Sequence, residues 1–110
     1  MPVRRIEEQL QVEAPQSQLV LPYQFVAVSK GEATPSVKNI TRLKFANAAP
    51  INVTNLINGQ EGQEVVILGD GNVTLIFDVT KIITNTLADK LLNAGYIYKL
   101  YNFDGIWYEQ

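Results

Sequence analysis

Carboxylates are the only side chains here that could do acid–base chemistry near neutral pH. The chain carries 11 Asp and Glu but no His and no Cys, which removes the imidazole base, the thiolate nucleophile, the disulfide and the usual His/Cys zinc site. Asp70, Asp78, Asp104 and Glu64 are the candidates, and a pair of them held about 5–10 Å apart would serve glycoside hydrolysis. Asp70 and Asp104 each stand beside a glycine, where aspartate is favoured for the hydrogen bonds it makes to its own turn. Gly69-Asp70-Gly71-Asn72 matches a fragment of a calcium loop, without the run of oxygen ligands or the closing Glu that such a loop needs. The expectation is a protein that is not an enzyme, with no catalytic residue, no metal and no cofactor.

A second group is aromatic. Tyr96, Tyr98, Tyr101, Trp107 and Tyr108 gather near the C-terminus. Such rings stack on sugars or anchor a protein interface, and they also pack over the sheet that a closing strand completes. Packing is the favoured role, with Tyr96, Tyr98, Trp107 and Tyr108 retained as a possible partner surface. Asn-x-Thr triplets at Asn39, Asn52 and Asn72 match glycosylation acceptors. No secretory signal precedes them, and the strand preference of Thr together with ladder-forming Asn explains them better.

The elements that would hold these residues are mostly short strands. From Ile51 to Asp78, apolar and β-branched runs (Ile51, Val53, Ile57; Val65 to Leu68; Val73, Leu75, Phe77) alternate with Asn58-Gly59, Gly62 and Gly69-Asp70-Gly71, a pattern of strands and tight turns. Each glycine cluster leads into another β-branched run instead of a helix, so a nucleotide loop is not indicated. Upstream, Leu19–Val28 is an apolar strand interrupted by Pro22, Ser29–Ser36 a polar loop, and Val37–Ala46 an alternating strand with Lys38, Arg42 and Lys44 on its polar face. Those cations either meet an acidic partner or are simply solvated. Downstream, Val79–Thr84 continues as a short strand. Thr86–Asn93 spaces Leu87, Leu91 and Leu92 like a short helix with Thr86 as N-cap and Gly95 as its stop. Tyr96–Phe103 and Ile106–Tyr108 then form a hairpin around Asp104-Gly105.

Residues 1–18 are polar and highly charged. Val3, Ile6 and Leu10 fit a helix face, Leu10 and Val12 fit a strand, and the segment reads either as an arm ordered by a partner or as a frayed terminus. At 110 residues the chain is one domain, and its first Met and final IWYEQ read as a complete small product made in a cytoplasm. A β-rich chain of this size has a limited core and gains from self-association. The net charge of −2 gives no reason to expect nucleic acid as a partner, and no apolar run is long enough to span a membrane.

Asn55-Leu56, Gly59, Gly62-Gln63, Gly69-Asp70-Gly71 with Val73-Thr74-Leu75, and Tyr96-x-Tyr98 leading to Asp104-Gly105-x-Trp107-Tyr108-Glu109 together resemble the trimeric β modules of tailed-bacteriophage virion proteins. The resemblance spans roughly residues 39–109. It implies an all-β, interleaved homotrimer, with residues 39–110 as the trimeric domain and residues 1–38 as an N-terminal arm and attachment region. It also implies Gly59, Gly62, Gly69, Gly71 and Gly105 as corners, Leu56, Val65, Ile67, Val73, Leu75 and Phe77 as the trimer core, and a bond from Gln63 across the axis. The helical 86–93 segment and the first 38 residues depart from the pattern. The function implied is a capsid decoration (cement) or head-fibre protein on the capsid surface, bound to itself and, through its N-terminal region, to the major capsid protein. The alternative is a tail-fibre module that binds a receptor or a host-surface glycan.

Overall fold

The computed structural model describes residues 26–110, which contain nine strands and no helix. They are β1 (Val26–Ser29), β2 (Arg42–Phe45), β3 (Ile51–Val53), β4 (Glu64–Leu68), β5 (Val73–Leu75), β6 (Ile82–Ile83), β7 (Lys90–Leu91), β8 (Ile97–Phe103) and β9 (Ile106–Glu109). Six form a large mixed sheet in the order β1-β2-β4-β8-β9-β6, and three form a small sheet in the order β3-β5-β7. The described residues are all-β, as their alternation and turn residues predict, and β3, β4 and β5 are the three strands expected between Ile51 and Asp78.

The two sheets close on one core. Strand alternation sends Leu43, Phe45, Val65, Ile67, Leu100 and Trp107 inward from the large sheet to meet Val53, Val73 and Leu75 of the small one. Leu56, Val65, Ile67, Val73 and Leu75 are thus fully covered by their own chain, without a second copy. Phe77 lies past the end of β5 and is half-buried.

Three crossings between the sheets meet at one end of the molecule. Asn47 lies between β2 and β3, and its backbone N–H and side-chain amide donate to Asp70 Oδ2 at 2.7 and 3.0 Å. Asp70 lies between β4 and β5. The return crossing from β7 to β8 joins through Gly69 N to Tyr96 O at 3.0 Å, Gly71 N to Leu92 O at 2.9 Å and Gly95 N to Gly69 O at 3.0 Å. Gly69 is required by proximity: a Cβ there would come within 2.4 Å of the Asn93 carbonyl oxygen. The corners at Gly62, Gly71 and Gly105 do have positive φ, whereas Gly59 is a close approach, its missing Cβ lying 2.5 Å from the Trp107 ring. Asp104 and Gly105 have φ of 56° and 79°, which is the geometry a two-residue hairpin of right-twisted strands demands.

Several expectations are corrected. Thr86–Asn93 is not helical. The buried Thr84 hydroxyl accepts from Ala88 N (3.1 Å) and donates to Ala88 O (2.5 Å), closing a tight turn in which Leu87 takes φ 57°. Leu92 then enters the core while Leu87 and Leu91 stay exposed, so the leucines share no buried face. Val37–Ala46 is a strand only over β2, because Lys38-Asn39 turns, with Asn39 at φ 58°. The domain also begins earlier than residue 39: β1 is part of the large sheet and Val37 is wholly buried. The readings for residues 1–18, and for the Leu19–Phe25 part of the proline-interrupted strand, lie outside the described residues.

Candidate interaction surface

The carboxylates are used locally. Asp70 Oδ1 accepts from Asn72 N (2.8 Å) and Val73 N (3.1 Å), which with the two Asn47 bonds gives it four donors. Burial pushes its carboxyl up, but the hydrogen bonds from Asn47, Asn72 and Val73 outweigh this and hold it below the ordinary value of 3.8. Asp78 accepts from the Thr80 hydroxyl (2.6 Å) and Thr80 N (2.8 Å), and these bonds lower its pKa. Asp104 is the hairpin tip, and its N–H donates to Glu61 Oε1 at 2.8 Å. Glu64 opens β4 beside Tyr101 on the neighbouring strand, and its carboxylate raises the Tyr101 phenol above its usual value. These residues sit in separate turns and strands, each serving its own neighbourhood, and among the described residues no cluster of three acidic side chains is suited to a metal ion.

Gln63 does not reach outward. Its amide donates to Val37 O (2.8 Å) and Ile40 O (2.7 Å) and accepts from Gln60 N (2.9 Å), clamping the turn before β2. Trp107 takes the favoured packing role and leaves the possible partner surface. It is 1% exposed, and its Nε1 donates to Leu56 O at 2.9 Å. The cause is parity: β9 points Trp107 inward and Tyr108 outward.

Of the other aromatic candidates, Tyr98 is half-buried and its hydroxyl accepts from Asn93 N at 2.9 Å. Its ring lies 5.4 Å from Lys90 Nζ, which also bonds Glu109 Oε2 at 2.6 Å. Glu109 belongs to the large sheet and is nearly buried, and Lys90 belongs to the small one, so the pair braces the two sheets along one side. Asn85 completes the brace: its N–H donates to Glu109 Oε1 (3.0 Å) and its Oδ1 accepts from Lys90 Nζ (2.8 Å). Tyr96 and Tyr108 are exposed.

The surface these observations leave is the outer face of the large sheet. Register fixes its rungs: Val26–Arg42–Val66–Lys99, then Val28–Lys44–Leu68–Ile97, then Glu64–Tyr101–Tyr108–Ile83 toward the other end, with Phe103 opposite Ile106 beyond. Val28 is 63% exposed, Ile97 59%, Val26 52% and Phe103 49%. Two shallow apolar depressions mark the face. One of ≈ 200 Å³ lies among Val26, Val66, Leu68 and Ile97, and one of ≈ 380 Å³ among Tyr101, Phe103 and Tyr108. The Phe103 and Tyr108 rings are 6.2 Å apart and tilted by 54°. The face therefore carries two exposed apolar patches with Arg42, Lys44, Lys99 and Glu64 set among them, the kind of surface on which interaction sites are found.

The sequence reading placed Tyr108 on this surface but missed Val66, Leu68 and Ile97. The signal was available in β4, whose run Val65-Val66-Ile67-Leu68 is apolar at both parities and therefore gives the strand two apolar faces. Compared with protein-family models, curated proteins and solved structures, the chain matches none.

Proposed function

We propose that this chain is a non-enzymatic structural protein of a tailed-phage virion, working as a homotrimer that decorates and stabilises the capsid. The observation that carries the reading is the apolar outer face of the large sheet. A 110-residue chain that closes its own core and still presents Val26, Val28, Ile97 and Phe103 to solvent has a surface suited to burial by association. The turn and hairpin residues that resemble the phage modules supply the virion context, and the N-terminal region preceding the β domain is the segment proposed to hold the capsid.

A protein that binds only the assembled shell raises the stability of that shell by mass action. Particles made without this protein are expected to disrupt at lower temperature and on milder osmotic shock, and adding the purified protein is expected to restore them. Unchanged resistance would remove the decoration role. A second reading, a receptor- or glycan-binding fibre module, draws on the Tyr101–Phe103–Tyr108 depression. It predicts that Tyr108→Ala abolishes glycan binding while the fold is kept.

A further inference from the structure

We propose that the outer face of the large sheet is electrostatically self-complementary and that its occupant is a second copy of this chain, bound with the basic half of one copy on the acidic, aromatic half of the next. This rests on the homo-oligomer reading above and specifies the contact that builds it. The rungs divide the face by charge. Arg42, Lys44 and Lys99 all fall on the two rungs that carry Val26, Val28, Val66, Leu68 and Ile97. Glu64 falls on the rung with Tyr101 and Tyr108, next to the tilted Phe103 ring.

Among the described residues the Lys90–Glu109 bridge is the ion pair observed; Glu109 also lines the edge of the aromatic depression, but its carboxylate is taken up by Lys90. Arg42, Lys44 and Lys99 therefore present charge over apolar ground without a carboxylate from the described part of the chain. The other half offers what such cations bind: the Glu64 carboxylate, which within its own chain bonds the Tyr101 hydroxyl, and an open aromatic depression. A guanidinium or ammonium over a tyrosine face gains cation–π attraction, and the stems of Arg and Lys cover apolar surface at the same time.

The alternation of sign argues for a copy over a polyanion. A nucleic acid or an acidic protein would use the basic half alone and find no cation among the described residues of the half holding Glu64, whereas copies joined basic half to acidic half use both halves of every copy. A contact of unlike halves is heterologous, the type that closes into a ring when the rotation between copies allows. Complementary patches of this kind set register and exclude wrong partners.

The test uses two full-length variants. Arg42→Glu with Lys44→Glu makes the basic half acidic, and Glu64→Lys with Tyr108→Arg makes the acidic half basic. All four positions face outward, so circular dichroism is expected to match the parent. Light scattering is expected to show each variant alone at chain mass, and an equimolar mixture of the two to recover assembled species. Lys38→Glu, in the turn before β2, is expected to leave assembly unchanged. If the parent is assembled and both variants stay assembled alone, or if both dissociate and mixing restores nothing, the pairing is wrong while the homo-oligomer stands. If the parent itself is at chain mass, the homo-oligomer reading falls and this inference with it. The face would then belong to residues preceding Val26 or to another protein.

Discussion

The two sheets present opposite characters to solvent although they share one core. Outward from the small sheet point Asn52 and Thr74, paired across β3 and β5, with Leu91 beside Thr74 on β7. Outward from the large sheet point Val26, Val28, Val66, Leu68, Ile97, Tyr101, Phe103 and Tyr108, interrupted by three cations and Glu64. Across β3 and β5 the small sheet follows the ordinary rule for a half-buried sheet, apolar inside and polar outside, with Leu91 of the edge strand β7 the exception. The large sheet breaks it. Burial of the core therefore accounts for only one of its two apolar faces, and the other is the face proposed to take a second copy.

The largest effect should come from making the large face resemble the small one. Leu68→Glu combined with Ile97→Glu sets two like charges side by side on one rung. Assembly is expected to weaken by about 30-fold or more, the loss that accompanies removal of an interface hot spot, read as a shift in the concentration of half-dissociation by light scattering. Thermal unfolding of the separated chain should show only the smaller cost of opposed like charges on a sheet, about 1 kcal/mol.

A smaller effect is expected where the sheets are tied together. Gly69→Ala forces a methyl against the Asn93 carbonyl, and overpacking of this sort costs about 1–3 kcal/mol. Urea unfolding should show it as a lower midpoint. Gly62→Ala meets no such neighbour, so its cost is limited to that of its positive φ, about 1 kcal/mol.

Asp70 ties the same crossings electrostatically. Its folded pKa lies below the ordinary 3.8, so the stability it contributes is fully present above the unfolded value and is lost as pH falls through the folded one. Unfolding free energy should be flat with respect to this group above about pH 5 and decline below about pH 4, and Asp70→Asn should shallow that decline. Equal acid sensitivity in the variant would show that the Asn47–Asp70 tie does not couple folding to pH.

The smallest effect belongs to the polar face. Thr74→Glu, with its side chain outward on the small sheet, is expected to stay within about 0.5 kcal/mol of the parent and to leave assembly unchanged. A large loss of assembly there would erase the contrast between the sheets.

How much of this was legible beforehand follows from the range of the interactions. The strands between Ile51 and Asp78 and the Asp104-Gly105 hairpin were readable because alternation and turn chemistry are local. The Thr86–Asn93 helix was misread because its leucine spacing is also local, while the Thr84 turn and the core site that takes Leu92 depend on how the sheets meet. Trp107 takes the packing role favoured for the aromatic cluster, but composition alone does not separate it from Tyr108, and strand parity does. Gln63 stands beside Gly62 in the sequence, yet its partners Val37 and Ile40 lie more than 20 residues upstream. The outer face was the least legible feature, since it exists only once register aligns β1, β2, β4, β8 and β9.

The central claim, that the large sheet's outer face is covered by copies of the same chain, is tested most directly by the absolute mass of the purified protein in solution at micromolar concentration. A stable species at three times the 12.3 kDa chain mass is the predicted result. A single species at 12.3 kDa throughout would contradict it and would assign that face to a different occupant.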